Sequence, residues 1–254
     1  MTYLLALETS GFSGSVALLY KGELLAAVSI PEGQGTAQGL HLAVEKVASL
    51  AQVDLKQISL ICVTQGPGSF TGLRFGVTAA KVLAYSLSAE LVGVNTLEAL
   101  ALAAVVKGSV CQEGGEPEKE SMTFEIEAIL NAHRRQLFTA TFELDRQETT
   151  EEKPLVVKED TRIVDTQSWI SSHEEGLGKE FSRVVTGSGL EKVEEEFPGG
   201  NRAFVERSLW QATAEFVGQV GYRHWLAGKK HSPYTFLPKY FRKSAAEEQA
   251  EKSV

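Results

Sequence analysis

The sequence predicts a duplicated α/β protein, and three observations carry that prediction. Strand-like apolar runs alternate with helix-period segments through the first hundred residues. A composition break at Gln112–Glu120 then interrupts the chain. After the break a second hairpin pattern returns, so each half opens alike, on a β-hairpin with a polar first turn.

The elements follow in order. Tyr3–Leu7 and Ser15–Tyr20 are apolar runs, and Lys21-Gly22 is a tight turn into Glu23–Ser29, which gives three consecutive antiparallel strands. Gly39–Ala51 places Leu40, Val44, Val47 and Leu50 on one helical face. Leu60–Thr64 is a short strand, and Phe70–Leu87 a second helix that starts just after a glycine-rich turn. Leu91–Val94 is a further strand, and Asn95 with Glu98 forms a capping-box-like start to a third helix reaching about Val106. Gln112–Glu120 combines glycine, proline and like charges, the signature of a loop between lobes. Beyond it, Ile126–Leu130 and Gln136–Leu144 form a hairpin, and Asp145–Lys153 is a second acidic loop. Val184–Thr186 runs into the turn Gly187-Ser188-Gly189. Val205, Leu209, Ala212, Phe216 and Val220 then keep helical spacing over a long segment, and the tail from Ser244 is polar. The expected division is a first lobe over 1–107, a second over 108–204, a helix and segment over 205–243 that returns to the lobes, and a tail over 244–254.

Composition narrows the function. The chain has 254 residues, 25 Lys+Arg against 33 Asp+Glu, and a net charge of −8. A generally basic nucleic-acid face is not expected, because such binding draws on cation contacts with phosphate, and a local basic patch stays open. The longest apolar run, Leu97–Val106, falls well short of the roughly 20 residues a membrane span needs. The start, Met1-Thr2-Tyr3-Leu4-Leu5, has no basic stretch ahead of its apolar residues and reads as a strand, not a signal peptide. Cys62 sits in an apolar run and Cys111 in a polar loop. Neither forms a Cys-x-x-Cys pair, so no zinc or dithiol chemistry is expected and the setting is a reducing, cytoplasmic one.

Two segments are candidates for chemistry. In Gln65-Gly66-Pro67-Gly68-Ser69-Phe70-Thr71-Gly72-Leu73-Arg74-Phe75-Gly76 a strand passes through glycines into a helix. Gly66, Gly68 and Ser69 at a helix start, with Arg74 as a cation, make an anion site one reading. The other is a tight turn with Ser69 or Thr71 as helix cap. The Walker spacing is absent. The second candidate is Glu8-Thr9-Ser10, where a carboxylate on a hairpin turn would position a metal or water beside a phosphoryl group. Gly187 and Gly189 offer a matching turn in the other half. The facing acid is missing, however: that position is Asn131, which is neutral, so ATPase chemistry is not supported. The five histidines form no helical metal pair, and no nucleophile elbow is present. His133, Arg134 and Arg135 form a small basic cluster at the second hairpin turn. The alanine-rich helices around Gly39–Ala51 and Thr78–Ala84 present small-residue faces suited to close helix packing.

Leu5-Ala6-Leu7-Glu8-Thr9-Ser10, Gly66-Pro67-Gly68-Ser69-Phe70-Thr71-Gly72-Leu73-Arg74-Phe75-Gly76 and Pro238-Lys239-Tyr240-Phe241-Arg242 resemble the bacterial TsaB (YeaZ) family. The middle motif is the most specific of the three, and Ile126–Gly200 matches only loosely. The resemblance implies a two-lobed actin/Hsp70-like (ASKHA) fold and a non-catalytic role in making threonylcarbamoyladenosine in tRNA. It implies a TsaD-like transferase as partner, bound through a helical bundle, and a TsaE-like ATPase completing the assembly. A homodimer when alone, tRNA contact only through the complex and no cofactor of its own are further expectations. The partner interface falls on Leu40, His41, Val44, Gly72, Phe75, Thr78, Ala79 and Val82. TsaD-like proteins carry a His-x-x-x-His metal pair, whereas here His41 is followed at that spacing by Glu45. Departures include Glu8 in place of the usual Asp and the turn Asn131-Ala132-His133-Arg134-Arg135. A small-molecule kinase or ATPase of the same fold is the alternative.

Overall fold

The computed structural model describes residues 2–31, 36–107, 123–145, 154–174, 183–196 and 203–242. Cys111, the Gln112–Glu120 loop, residues 146–153 and the tail from Ser244 lie outside the described residues.

The first lobe is a five-stranded sheet in the order β3-β2-β1-β4-β5. β1 (Tyr3–Glu8), β2 (Gly14–Tyr20) and β3 (Glu23–Ile30) run antiparallel, while β4 (Ile58–Gly66) and β5 (Glu90–Asn95) lie parallel to β1. Lys21 and Gly22 both have positive φ, 52° and 88°, as the two-residue hairpin turn between β2 and β3 demands. β1 is central, so Leu4 to Leu7 are fully buried on both faces and read as a continuous apolar run. β3 forms the edge and is mostly exposed.

The second lobe repeats this order. β6 (Thr123–Asn131) is central, with β7 (Gln136–Asp145) and β8 (Val156–Asp165) antiparallel on one side. β9 (Arg183–Thr186) and β10 (Ala203–Phe204) lie parallel on the other. The two sheets therefore share one topology, three antiparallel strands followed by parallel ones, and the expected duplicated two-lobed α/β architecture is what the chain adopts.

Helices cover the faces. α1 (Thr36–Ala51) and α2 (Phe70–Leu87) lie on one side of the first sheet and share a core with Leu5, Leu7, Val16, Leu18, Ile61 and Val63. α2 buries Leu73, Val77, Ala80 and Ala84, a stripe at helical spacing; burying each of the two larger side chains contributes about 1.5–3 kcal/mol. α3 (Thr96–Lys107) is buried on every side from Thr96 to Ala104. It shares one core with Leu4, Ala6, Ala17 and Leu19 of the first sheet and with Ile126, Ala128, Phe138, Ala140 and Phe142 of the second. α4 (Thr166–Glu174) and α5 (Leu190–Glu196) cover the far face of the second sheet through Trp169, Ile170, Leu190 and Val193. α6 (Ala214–Leu226) returns to the first sheet, on the side of α3. Among the described residues, no helix is long and apolar enough to cross a membrane.

Three expectations need correction. The long helix expected from Val205 begins only at Ala214. Before it, Trp210 donates its ring N–H to the Val205 carbonyl (2.7 Å), which folds Val205–Trp210 into a compact loop with a 3-10 turn at Arg207–Leu209. Asn95 does cap α3, accepting from the Leu97 N–H at 2.9 Å, but Glu98 does not close a capping box. Its carboxylate turns inward and meets His224 Nε2 of α6 at 2.8 Å. Four strands and α-helices, β8, α4, α5 and β10, have no counterpart among the expected ones.

Candidate functional site: a cleft between the two hairpin turns

The C-terminal ends of β1 and β4 in one lobe and of β6 and β9 in the other converge on a single cleft of about 720 Å³. Glu8 and Ser10 of the first hairpin turn face Asn131, Ala132 and His133 of the second across it. Two polar turns, read from sequence as a coarse echo, thus occupy equivalent places in the two lobes.

Glu8 lies at the end of β1, only 2 % exposed. Burial pushes its carboxyl up to about 7, although the Ser10 hydroxyl and the Ser10 N–H (2.7 Å) both donate to Oε1 and pull the other way. Desolvation wins because no cation faces it within the described set of partners. Asn131 is occupied within its own turn, its Oδ1 accepting from the His133 N–H at 2.8 Å. His133, Arg134 and Arg135 hold that turn with three consecutive positive φ values, 59°, 52° and 59°.

The glycine-rich motif does a different job from anion binding. Ser69 caps α2, its hydroxyl accepting from the Gly72 N–H at 3.3 Å and its carbonyl from the Leu73 N–H at 2.9 Å. Ser69 N–H itself donates to the Ser10 carbonyl at 2.7 Å. A Cβ on Gly72 would stand 2.0 Å from the Thr9 carbonyl oxygen, and one on Gly66 would stand 2.4 Å from the Lys239 carbonyl oxygen. The absent side chains therefore admit neighbouring backbone, not a phosphate. Arg74 is likewise committed: it stacks over the Phe70 ring at 4.0 Å and donates from Nε to the Tyr240 hydroxyl at 3.0 Å.

Of the residues expected to contact an anion, Glu8, Ser10, Gly68 and Ser69 line the cleft. Thr9, Gly66, Arg74, Gly187 and Gly189 do not. Thr9 points back into the protein and donates to the Gly72 carbonyl at 2.9 Å, while Gly187 and Gly189 are pressed against Ile129. Ser188 between them does reach the cleft.

The segment Pro238–Arg242 straps the cleft. Lys239 N–H donates to the Gln65 carbonyl at 2.7 Å, and Tyr240 stacks on Phe70 with centroids 4.4 Å apart, both in the first lobe. Phe241 meets Phe138 edge-on at 6.3 Å, and the Arg242 guanidinium donates to the Ala132 carbonyl and to Gln136 Oε1, both in the second lobe. The sequence reading expects this segment to return to the lobes, but the contacts by which it joins them are encoded in no local pattern.

The expected interface residues divide sharply. Leu40 and Val44 are buried in the chain's own core, at 2 % and 6 % exposure, and Gly72 is covered by Thr9, so these three cannot meet another protein. The helical period that marks a core stripe had been assigned to a partner. His41, Thr78 and Val82 are exposed, and Phe75 and Ala79 half-exposed. The residues missed are Leu42, Leu50 and Tyr85, exposed at 62 %, 59 % and 66 %. Leu42 and Tyr85 lie on the turns of α1 and α2 opposite the core, a signal readable in the same periodicity, whereas Leu50, expected on the face of Leu40, Val44 and Val47, stands in water at the end of α1. His41 Nε2 faces Glu45 at 3.4 Å, and the described residues contain no cluster of three His, Cys, Asp or Glu that could hold a metal.

Comparison with known proteins adds to this geometry. The family described as TsaD, tRNA N6-adenosine threonylcarbamoyltransferase, matches residues 35–116. The tRNA threonylcarbamoyladenosine biosynthesis protein TsaB of Haemophilus influenzae is 35% identical over 101 residues, 40% of this chain and 42% of that protein. The TsaB of Bacillus subtilis is 35% identical over 98 residues, 39% of this chain and 43% of that protein. YeaZ from Pseudomonas aeruginosa superposes with a TM-score of 0.71 at 22% identity, covering 94% of this chain and 100% of that one. The chain is similar to the TsaB (YeaZ) family over about two fifths of its length and shares the YeaZ fold. It spans about two fifths of the length of the curated TsaB relatives it matches. The TsaB-like fold, by contrast, extends over both lobes.

Proposed function

We propose that this chain serves the formation of threonylcarbamoyladenosine in tRNA as a docking and activating subunit. It binds a TsaD-type transferase alongside a TsaE-type ATPase and supplies no catalytic group itself. The observation that carries the reading is the outward face of α1 and α2. Leu42, Leu50, Val82 and Tyr85 leave large apolar side chains in water at 58–66 % exposure, within the segment that matches the TsaD family. Apolar surface of this kind, rimmed by His41, Glu45 and Thr78, marks a protein-binding site. A TsaD relative carries a related segment, so two such faces would meet as a helical bundle. The same face would pair two copies of this chain when the partner is missing.

Activation follows from unequal binding: contact with this face shifts the transferase only by as much as it favours one of its conformations. Glu45 supports the non-catalytic reading, since it stands where the family resemblance places the second metal-binding histidine of TsaD-like proteins. The test is to mix the chain with a TsaD-type protein and follow the complex by gel filtration. Val82→Glu and Leu42→Glu should each abolish co-elution while leaving the circular dichroism of the free chain unchanged. Co-elution at wild-type strength with both substitutions would remove this face from the reading.

A further inference from the structure

The segment 231–237 leads into the strap and turns two large apolar side chains toward water. Tyr234 is 75 % exposed and Leu237 70 %, more than any other large apolar side chain among the described residues except Phe12. Both are held in place. His231 donates its N–H to the Leu91 carbonyl at 2.8 Å and accepts the Gly93 N–H on Nδ1 at 3.2 Å, which pins the segment to the outer edge of β5. The Ser232 carbonyl then accepts from the Thr235 N–H at 3.2 Å and the Phe236 N–H at 2.9 Å, closing a turn. Phe236 shares the core of Val77, Ala80 and Ala84 of α2, and its carbonyl accepts from Lys81 Nζ at 3.1 Å. Side chains presented from a turn fixed in this way lose little freedom when a partner covers them.

This surface continues that of α2. The Tyr234 ring meets the Tyr85 ring edge-on at 6.0 Å, and Tyr85 with Val82 belongs to the outward face of the helix. Its charge is one-sided. Residues 66–89 and 226–242 hold Arg74, Lys81, Lys229, Lys230, Lys239 and Arg242 but no aspartate or glutamate, in a chain of net charge −8. Lys230 pairs with Glu90, and the other five have no ion pair among the described residues. A single-stranded nucleic acid would stack its bases on rings, whereas Val82 and Leu237 are aliphatic and suit the apolar core of a protein interface.

We propose that the segment 231–237 is a second part of the docking surface. Tyr234 and Leu237 extend the apolar ridge of Val82 and Tyr85, and the lysines beside them select a TsaD-type transferase whose facing surface is acidic. The proposal rests on the docking reading of α1 and α2 and adds to it a contact outside the segment that matches the TsaD family.

Titration calorimetry of the full chain against a TsaD-type protein tests the two separately. Tyr234→Ala and Leu237→Ala should each weaken binding about tenfold, while the circular dichroism and thermal midpoint of the free chain stay unchanged because both side chains are exposed. Lys229→Glu and Lys239→Glu should weaken binding at low salt, and their gap from wild type should narrow as salt is raised to about 0.5 M. Leu42→Glu, on α1, probes the underlying reading alone. Loss of binding in Leu42→Glu together with wild-type affinity in Tyr234→Ala and Leu237→Ala would overturn the inference and leave the α1 and α2 face standing. Wild-type affinity in all of these variants, or no binding by the unaltered chain, would overturn both. Lysine variants that bind as wild type at low salt would overturn the acidic partner surface. Binding of tRNA by the free chain that the lysine variants remove, with transferase affinity unchanged, would assign the surface to nucleic acid and overturn the inference as well.

Discussion

Replacing Glu8 with glutamine should stabilise this protein, and the gain should depend on pH in a defined direction. Burial raises the Glu8 carboxyl from an ordinary value of 4.5 to about 7, so the folded chain holds a proton that the unfolded chain releases earlier. Stability linked to this group is fully present below about pH 4.5 and is lost as pH rises through about 7. The difference, about 2.5 pH units at 1.36 kcal/mol each, amounts to about 3 kcal/mol. Glutamine has no charge to desolvate, and its carbonyl oxygen can still accept both Ser10 donors. Urea denaturation of wild type and Glu8→Gln across about pH 4 to 8 should show equal stability at the acid end. The variant should lead by about 3 kcal/mol at the alkaline end, or about 6–12 °C in thermal midpoint for a chain of this size. A difference that stays flat with pH, or a variant less stable than wild type above pH 7, would refute the reasoning.

Other perturbations follow from the same geometry. Glu127 behaves oppositely: burial pushes it up, but His173 by hydrogen bond and charge, with Trp169 and Thr139, outweighs burial and holds it down at about 2. Its contribution is present above about pH 4.5 and lost as pH falls toward 2, so Glu127→Gln should erase an acid limb from the wild-type stability curve measured by circular dichroism. Gly76→Ala would place a Cβ 2.1 Å from Thr9 Oγ1 and should cost about 1–3 kcal/mol in a urea titration. Arg242→Ala removes the guanidinium that holds Ala132 and Gln136, and hydrogen exchange should then accelerate at the 131–136 turn while α1 and α2 keep their protection.

What the sequence discloses here depends on burial. Leu4 to Leu7, Leu60 to Val63 and the α2 stripe are legible because covered residues must be apolar, and period separates strand from helix. Val156–Asp165 is not, because an edge strand carrying Lys158, Glu159, Asp160 and Arg162 in water has no reason to alternate cleanly. Leu40 and Val44 illustrate the opposite failure: periodicity identifies an apolar face but does not say whether sheet or partner covers it. In the cleft, Glu8 and Ser10 are readable as a turn carrying a carboxylate. Thr96 is silent in sequence, since nothing local shows that its buried hydroxyl finds no partner among the described residues, and Arg242 acts on residues more than a hundred positions away.

α3 carries a mechanical consequence. Its apolar residues are claimed from both sides, by Ala17 and Leu19 of one sheet and by Phe138 and Phe142 of the other. Cutting the protein into halves would strip this axle bare whichever half retained it, so heat or denaturant should melt both sheets in one event. Any opening of the cleft must then be a rocking of the two walls about that common rod, with the mouth widening while the base stays shut.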